Sequence, residues 1–152
     1  MVITRTGDYR YHIGIDPGSN TGVALWDRKE QRLVFIESML AVEAEEYVLD
    51  FFNKNQDAGV CVHVEDTRNL RLPKSKQKHA SGAMDLNVGK VHRDMSRWEE
   101  YLRHKGIHHI MRPLTKSNLR KSTQELFNAV TGWHGRSSEH ARDAAAYVWG
   151  IM

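Results

Sequence analysis

The stretch GVCVHVED, residues 59–66, restricts the fold more than any other part of the sequence. It is a near-continuous, valine-rich apolar run, which is the pattern of a central β-strand covered on both faces. Helices are the usual cover for such a strand, so the run predicts an α/β fold. The run ends in two acids, Glu65 and Asp66.

Hydrophobic patterns on either side of this run predict the element order β-β-β-α-β-α-β-α-α. The first three strands are short apolar runs separated by turn residues, which favours a meander. The predicted strands are residues 11–16, 22–27, 32–39, 59–66 and 107–113. The predicted helices are residues 41–55, 83–105, 115–132 and 137–152, with a basic loop at 67–82. No repeat or long linker divides the 152 residues, so we expect one domain, residues 1–152.

The predicted helix 83–105 carries one continuous apolar stripe with alternating steps of four and three residues. Its members are Met84, Val88, Val91, Met95, Trp98 and Leu102. Such a stripe is usually the helix face that packs on a sheet. It also has the spacing of a seam between two copies of a chain, and the sequence leaves both interpretations open.

Cysteine usage and hydropathy indicate the compartment. Cys61 is the only cysteine, so no intrachain disulfide can form and a reducing compartment is expected. A catalytic thiol is one interpretation of Cys61, but its place in an apolar run favours a buried structural residue. No apolar run approaches the roughly 20 residues that span a bilayer. We therefore expect no membrane association and a cytoplasmic protein, in the host cytoplasm if the source is viral.

The charge is distributed unevenly along the chain. Residues 1–66 hold 6 basic and 12 acidic residues, net −6, whereas residues 67–152 hold 16 and 7, net +9. Two tracts contain no acid, and such tracts favour a polyanionic partner such as nucleic acid over a plain solvated surface. Residues 67–84 contain Arg68, Arg71, Lys74, Lys76 and Lys78. Residues 101–124 contain Arg103, Lys105, Arg112, Lys116, Arg120 and Lys121.

Three acids occupy positions that suit a metal site. Asp16 ends the first strand, Glu65 ends the valine-rich strand, and Asp143 follows His140 by three residues on the last predicted helix. Residues three apart share a helix face, and the alanines around them permit close packing. A carboxylate on a mostly buried surface is costly unless it is paired or binds a cation. If these side chains converge, they would suit Mg²⁺ or Mn²⁺.

Each acid also has a plain structural interpretation. Asp16 precedes Pro17 and Gly18 and would then simply begin a turn. Glu65 and Asp66 would face solvent or pair with Arg68, and Asp143 would form surface pairs. Residue by residue, these interpretations are at least as good as the metal site.

Taken together, three motifs resemble the RuvC-type Holliday junction resolvases of the RNase H-like superfamily. They are GIDPGSNTGVALWD on the first strand and turn, VHVED on the fourth strand, and EHARDAAAYVWG on the last helix. The resemblance covers nearly the whole chain in element order. It implies an RNase H-like fold: a five-stranded mixed sheet with an antiparallel meander of strands 1–3, parallel strands 4 and 5, and helices on both faces.

The resemblance also implies a site. Asp16, Glu65 and Asp143 match the family's metal-binding carboxylates, and His140 matches a position that is acidic in some members and histidine in others. Two Mg²⁺ ions, replaceable by Mn²⁺, would be held there. Basic residues after the fifth strand bind phosphate near the scissile bond in the family; Lys116 and Lys121 match this group by location only. The residues predicted to bind DNA are Arg68, Arg71, Lys74, Lys76, Lys78, Arg112, Lys116, Arg120 and Lys121.

The implied activity is paired phosphodiester hydrolysis at four-way or other branched DNA in recombination and repair, by a homodimer. One departure concerns the sequence EDTRNLRL, which has Arg68 and Leu70 where family members typically place a wedging aromatic residue. Other interpretations stay open: an RNase H-like nuclease acting on forks, flaps or RNA/DNA hybrids, and a non-catalytic branched-DNA-binding module. An ATPase of the actin and sugar-kinase type shares the Asp-x-Gly loop, but it needs a second domain for which this chain is too short.

Overall fold

The structure, a computed structural model, describes residues 9–69 and 82–152, with residues 82–88 described by backbone alone. Its strands are β1 (Tyr11–Asp16), β2 (Asn20–Asp27), β3 (Arg32–Leu40), β4 (Val60–Glu65) and β5 (His109–Arg112). Its helices are α1 (Ala41–Lys54), α2 (Gly82–His104), α3 (Gln124–Thr131) and α4 (Glu139–Ala145). The predicted loop 67–82 lies almost wholly outside the described residues.

The five strands form one mixed sheet with the order β3-β2-β1-β4-β5. Strands β1, β2 and β3 are antiparallel neighbours, while β4 runs parallel to both β1 and β5. The valine-rich strand β4 therefore lies inside the sheet and is buried along its whole length. The predicted mixed five-stranded sheet is confirmed.

Helices cover both faces of this sheet, because alternate strand residues point to opposite sides. One core contains Ile13, Ile15, Val62 and Val64 from the strands, packed with residues of α1 and α2. On the opposite face, strand residues such as Ala24 pack with residues of α3, α4 and the segments around them. Two hydrophobic cores thus lie above and below the central strands.

The apolar stripe of α2 packs on the sheet where its side chains are described. Met95, Trp98 and Leu102 are at most 3% exposed, and Trp98 and Leu102 belong to the core against the sheet. Trp98 is therefore not available to a dimer seam. Val91 is 40% exposed, and the side chains of Met84 and Val88 lie outside the description.

The predicted helix 115–132 is too long at its beginning. Helix α3 starts at Gln124, after the N-cap Thr123, whose hydroxyl accepts a hydrogen bond from the Leu126 N–H. Upstream, hydroxyls of Thr115 and Ser117 accept backbone N–H bonds, and such bonds compete with helix formation. The predicted C-terminal end is confirmed, since Gly132 adopts the left-handed conformation with φ 74°.

The last predicted helix, 137–152, is too long at its end. Helix α4 spans residues 139–145, and its N-cap Ser138 accepts a hydrogen bond from the Ala141 N–H. After Ala145 the backbone N–H groups of residues 146–148 bond to the carbonyl three residues earlier, which is a tighter winding. The chain then crosses to β2, where the Trp26 Nε1–H donates to the Ile151 carbonyl at 2.9 Å.

Candidate active site

The central strands bring Asp16 and Glu65 side by side. Strands β1 and β4 are parallel, and the last pair in register is Ile15 with Val64. Each acid is the next residue on its strand, so both side chains point to the face opposite the Ile15–Val64 core, which is the face covered by α4. The two acids are only 9% and 3% exposed.

Helix α4 supplies His140 and Asp143 because its backbone lies almost directly on the strands. A Cβ atom added at Gly22 would overlap the His140 carbonyl, and one added at Gly14 would overlap the Ala144 carbonyl. No other residue type permits so close an approach at these two positions. Glycines on β1 and β2 therefore fix how near the helix carboxylate comes to the strand carboxylates.

Each of the three buried carboxylates has its own hydrogen-bond donor or partner. His140 Nδ1 lies 3.0 Å from Asp16 Oδ2. Arg120 donates to Glu65 Oε1 from Nε at 3.1 Å and from Nη2 at 2.9 Å. The backbone N–H of Lys121 donates to Asp143 Oδ1 at 2.6 Å. The site thus compensates three acids with two side chains and one peptide group.

The electrostatics show that the acids interact. Burial raises the pKa of Asp16 well above its usual range, and the neighbouring carboxylates of Glu65 and Asp143 add to the shift, against the opposing charge of Arg120. Burial also raises the pKa of Asp143, although the Lys121 N–H and Arg120 work in the other direction. The raised pKa values mean that burial and mutual repulsion disfavour the ionised carboxylates. A bound cation would stabilise the ionised form.

The segment between β5 and α3 carries Arg120 and Lys121 to the carboxylates. Lys121 has a φ of 57°, one of two non-glycine residues in the described chain with positive φ. Such a conformation is strained for a lysine and persists only where the surroundings enforce it, as functional sites often do. The strain accompanies the hydrogen bond from the Lys121 backbone to Asp143.

The donor set suits a hard divalent cation. Three buried carboxylates offer oxygen ligands, and His140, whose side chain is 54% exposed, offers a nitrogen at the solvent side. Arg120 lies on the Glu65 oxygen Oε1, so a cation that used this oxygen would compete with the guanidinium. The ligand types of these residues suit Mg²⁺ or Mn²⁺. Binding of either ion through Glu65 Oε1 would require Arg120 to leave that oxygen.

Other predicted residues are placed as follows. Lys121 extends a 62% exposed side chain that pairs with Glu139 at 3.3 Å, and Lys116 is exposed on the same segment. Arg68 is held by Asp66 and Glu99, so part of its charge is neutralised within the chain. Arg112 contacts His63. The remaining predicted DNA-binding residues, Arg71, Lys74, Lys76 and Lys78, lie outside the described residues.

Sequence reasoning missed two buried histidines on the same face as the carboxylates. His12 Nδ1 lies 2.8 Å from His63 Nε2, and both rings are fully buried. Strand alternation contained the signal, because His12 and Gly14 precede Asp16 at even spacing and His63 precedes Glu65 by two. Burial lowers the pKa of His12 to about 4 and that of His63 to about 3.

Cys61 lies beside these rings and is buried, as its apolar context predicts. Burial raises the pKa of its thiol to about 12, which is the opposite of what a nucleophilic cysteine needs. Donor atoms of His12, Cys61 and His63 lie within 4.8 Å of one another, a grouping that metal sites share.

None of the described helices has the length and apolar character to span a bilayer. No protein-family model matches the sequence, and no curated protein matches it either.

Solved structures do resemble the chain. A structure of T. thermophilus RuvC in complex with a Holliday junction substrate matches with a TM-score of 0.58 and 14% identity, covering 93% of this chain and 91% of that one. A second Thermus thermophilus RuvC structure matches with a TM-score of 0.51 and 15% identity, covering 91% of each chain. The large terminase nuclease of thermophilic phage G20c gives a TM-score of 0.46 at 14% identity. The sheet order, the helices on both faces and the match to RuvC together show that this chain has the RuvC-type, RNase H-like fold.

Proposed function

We propose that this protein is a divalent-metal-dependent endonuclease that hydrolyses phosphodiester bonds in branched DNA, four-way junctions above all. The observation that carries the proposal is the meeting of Asp16, Glu65 and Asp143 at one buried spot with His140 and Arg120 around them. Each buried acid makes it more costly for its neighbours to ionise, and such an arrangement is typical of functional sites. The shared fold with RuvC agrees with this chemistry.

The carboxylates Asp16, Glu65 and Asp143 would hold the metal, with His140 at the solvent side. Bound Mg²⁺ or Mn²⁺, two ions in our proposal, would supply an activated water and neutralise charge at the scissile phosphate. The acids suit this task because oxygen ligands balance closely spaced cations while leaving positions open for water and phosphate.

His140 is placed to handle the proton of the attacking water. When Asp16 is ionised, the short contact requires that His140 Nδ1 carry a proton and donate it to Oδ2. The lone pair then lies on Nε2, in a ring whose side chain is half exposed. Nε2 can therefore ligate the metal or accept the proton, and proton acceptance is the role we favour.

The reaction balances as a hydrolysis. Water oxygen bonds to phosphorus, its proton passes to a base such as His140, and the phosphorus bond to the 3′ oxygen breaks. The leaving oxygen takes a proton from solvent, which gives a 5′-phosphate and a 3′-hydroxyl. Arg120, once it leaves Glu65, and the exposed amines of Lys116 and Lys121 would stabilise the charge that develops on the phosphate.

The acid-free tract 101–124 would bind the DNA arms through their phosphates. Within it, Arg120 lies at the carboxylates and Lys116 and Lys121 lie exposed on the segment beside them. Phosphate contacts of this kind give affinity and strong salt dependence but little sequence information. The RuvC neighbour was solved with a Holliday junction substrate, which supports a branched substrate here.

Symmetric cutting of a four-way junction needs two sites that face opposite strands, so we propose a twofold homodimer. The buried part of the α2 stripe does not supply its interface. Analytical ultracentrifugation of the protein, alone and with a junction, tests the dimer directly.

Cleavage of matched substrates tests the proposed function. A synthetic four-way junction, a fork, a flap, a duplex and an RNA/DNA hybrid of equal length are incubated with the protein in Mg²⁺, Mn²⁺ or EDTA. We expect metal-dependent cutting of the junction that disappears in Asp16→Asn and persists in Asp57→Asn, a control at an exposed acid. Preference for the hybrid would assign the chain to another kind of RNase H-like nuclease. Binding of the junction without any cutting would make it a non-catalytic module.

A further inference from the structure

A chain of hydrogen bonds runs beneath the candidate active site from His12 through His63 to Arg112. His12 Nδ1 lies 2.8 Å from His63 Nε2, and Arg112 Nη1 lies 3.0 Å from His63 Nδ1. The three residues come from the neighbouring strands β1, β4 and β5. On these strands Arg112 pairs in register with Glu65, one of the proposed metal ligands.

The hydrogen-bond chemistry of arginine fixes the protons along this chain. A guanidinium has only donors, so His63 Nδ1 must accept and carries no proton. A neutral His63 then carries its proton on Nε2 and donates it to His12 Nδ1. A neutral His12 in turn carries its proton on Nε2, which is buried.

Arg112, like Arg28 and Arg142, donates to a neutral acceptor, whereas several other arginines of the described chain bind a carboxylate. Arg10, Arg68, Arg97 and Arg120 each bind a carboxylate, whereas none of the ion pairs among the described residues includes Arg112. Arg112 is half-buried and its described side-chain partner is an uncharged ring. A partly buried cation that is held by a neutral acceptor keeps its full charge for another anion.

The same contacts argue against a metal ion shared by His12, Cys61 and His63. Both nitrogens of His63 are already used, one by Arg112 and one by His12. A divalent ion with one thiolate would also add a net positive charge next to Arg112 in a buried place. The histidine pair is therefore better explained by what it does for the arginine.

We propose that His63, itself oriented by His12, is a positioning residue that holds Arg112 ready to bind a phosphate of the nucleic acid beside the carboxylates. The inference rests on the proposed nucleic-acid substrate. It adds a role for two residues that contact no substrate, and it assigns Arg112 to the phosphates next to the scissile one rather than to the general basic surface.

The protonation pattern is tested first, without any substrate. Long-range ¹H–¹⁵N NMR of the imidazole rings reports which nitrogen carries the proton in the wild-type protein. We expect His63 and His12 to be neutral with the proton on Nε2. A proton on His63 Nδ1 would overturn the anchor, whatever the protein does to DNA.

Binding of a fluorescent four-way junction in Ca²⁺, over a range of salt concentrations, tests the role of the anchor. Arg112→Gln is expected to lower the slope of log K against log salt by about 0.9, the value for one lost phosphate contact. His63→Leu is expected to weaken binding about ten- to a hundredfold, the size of one hydrogen bond to a charged group. His63→Gln, whose amide oxygen can accept from Arg112, should restore most of that loss.

The double variant separates positioning from folding. In the Arg112→Gln background, His63→Leu should weaken binding no further, because the group it positions is gone. Cys61→Ala is the matched control, since it alters the same buried cluster without touching the chain of hydrogen bonds. An equal loss with and without Arg112, or unchanged junction affinity in Arg112→Gln, would overturn the inference. Should His63→Leu fail to fold, Arg112→Gln and the NMR measurement still decide it.

Failure of the proposed function gives a different result. A wild-type protein that neither binds nor cuts the junction contradicts both proposals, while the NMR pattern still reports on the anchor alone. A wild-type protein that cuts the junction, with Arg112→Gln binding equally well, contradicts only the role of Arg112.

Discussion

Arg120 donates two hydrogen bonds to a single carboxylate oxygen of Glu65, from Nε at 3.1 Å and from Nη2 at 2.9 Å. The guanidinium therefore occupies a position that a metal ion bound to Glu65 would use. It neutralises a carboxylate that is only 3% exposed. A metal ion and Arg120 are competitors for the same negative charge. This competition gives the site a signature that a merely structural ion pair lacks.

We expect Arg120→Gln to bind Mn²⁺ about tenfold more tightly than wild type, because a repelling and competing charge is removed. Cleavage should nonetheless fall about a hundredfold, since a group that stabilises the phosphate is lost. Isothermal titration with Mn²⁺ and single-turnover cleavage measure the two effects. Arg136→Gln, at an exposed arginine, is the control and should change neither. Weaker Mn²⁺ binding by Arg120→Gln would contradict the competition.

Asp16→Asn should stabilise the metal-free protein while it abolishes cleavage. The folded-state pKa of Asp16 is raised above the usual 3.8 by burial and by neighbouring acids, so its contribution to stability is lost as pH rises above 3.8. Asparagine does not ionise, so the variant does not lose this stability as the pH rises. The expected gain in unfolding free energy near pH 8 is about 1–2 kcal/mol, or a few degrees in Tm. Thermal unfolding in EDTA at pH 4 and pH 8 checks the sign, because the gain should shrink at the lower pH. A variant less stable than wild type at pH 8 would show that Asp16 is stabilised by its partners.

Gly22→Ala should separate the helix acids from the strand acids. Its methyl group would overlap the His140 carbonyl, so α4 has to move away from β2, at a cost of about 1–3 kcal/mol. Urea unfolding measures this loss, and cleavage should be lost with it. Gly89→Ala in α2 is the matched control: a Cβ there meets nothing within 4 Å, and helix propensity predicts a gain of about 0.5–1 kcal/mol. Unimpaired cleavage by Gly22→Ala would mean that the close helix approach is not required.

The contribution of His12 to stability should fall as the pH drops from about 6.5 to 4, because His12 stays neutral in the folded protein. Its folded-state pKa is lowered to about 4 by burial, while the unfolded chain takes up the proton near the usual 6.5. The group therefore contributes stability above pH 6.5 that is lost towards its folded pKa, on the order of 2 kcal/mol. The difference in unfolding free energy between wild type and His12→Gln, from urea titrations across this range, measures the loss. His12→Gln should flatten the acid branch, whereas the exposed His104→Gln should leave it unchanged.

The strand pattern could be predicted because burial on both faces leaves a direct mark on sequence. Strand β1 has the predicted bounds, and β4 differs by one residue at each end. The bounds of the two predicted helices 115–132 and 137–152 follow less directly from the sequence. Local hydroxyl-to-backbone bonds before Thr123 and the tighter winding after Ala145 depend on side-chain choices that apolar periodicity does not register.

The carboxylates of the site could be predicted, but their partners could not. Asp16, Glu65 and Asp143 stand at strand and helix positions whose meeting the resemblance implied, and the structure brings them together with His140. Arg120 was one cation among several in a basic tract. Only the path of the segment before α3, with its left-handed Lys121, selects Arg120 for Glu65 and leaves Lys116 in solvent.

The use of the α2 stripe could be decided only by three-dimensional packing. Spacings of four and three residues fit both a core face and a dimer seam. Burial of Trp98 and Leu102 against the sheet shows that the first interpretation holds for the described part. Apolar periodicity indicates that one face of a helix is buried, but it does not show whether a sheet or a second copy of the chain buries it.

The contact of α4 with the central strands also sets a time order. Asp16 and Glu65 become neighbours when β4 pairs with β1, yet Asp143 and His140 arrive only with the last helix of the described chain. Residues 139–145 follow all five strands in the sequence, so the set of four side chains is incomplete until they have been synthesised. The four side chains therefore cannot act together before residues 139–145 have folded onto the sheet. A nascent chain that has not yet made α4 therefore lacks two of the four candidate side chains, and it lacks the helix backbone that packs on Gly14 and Gly22.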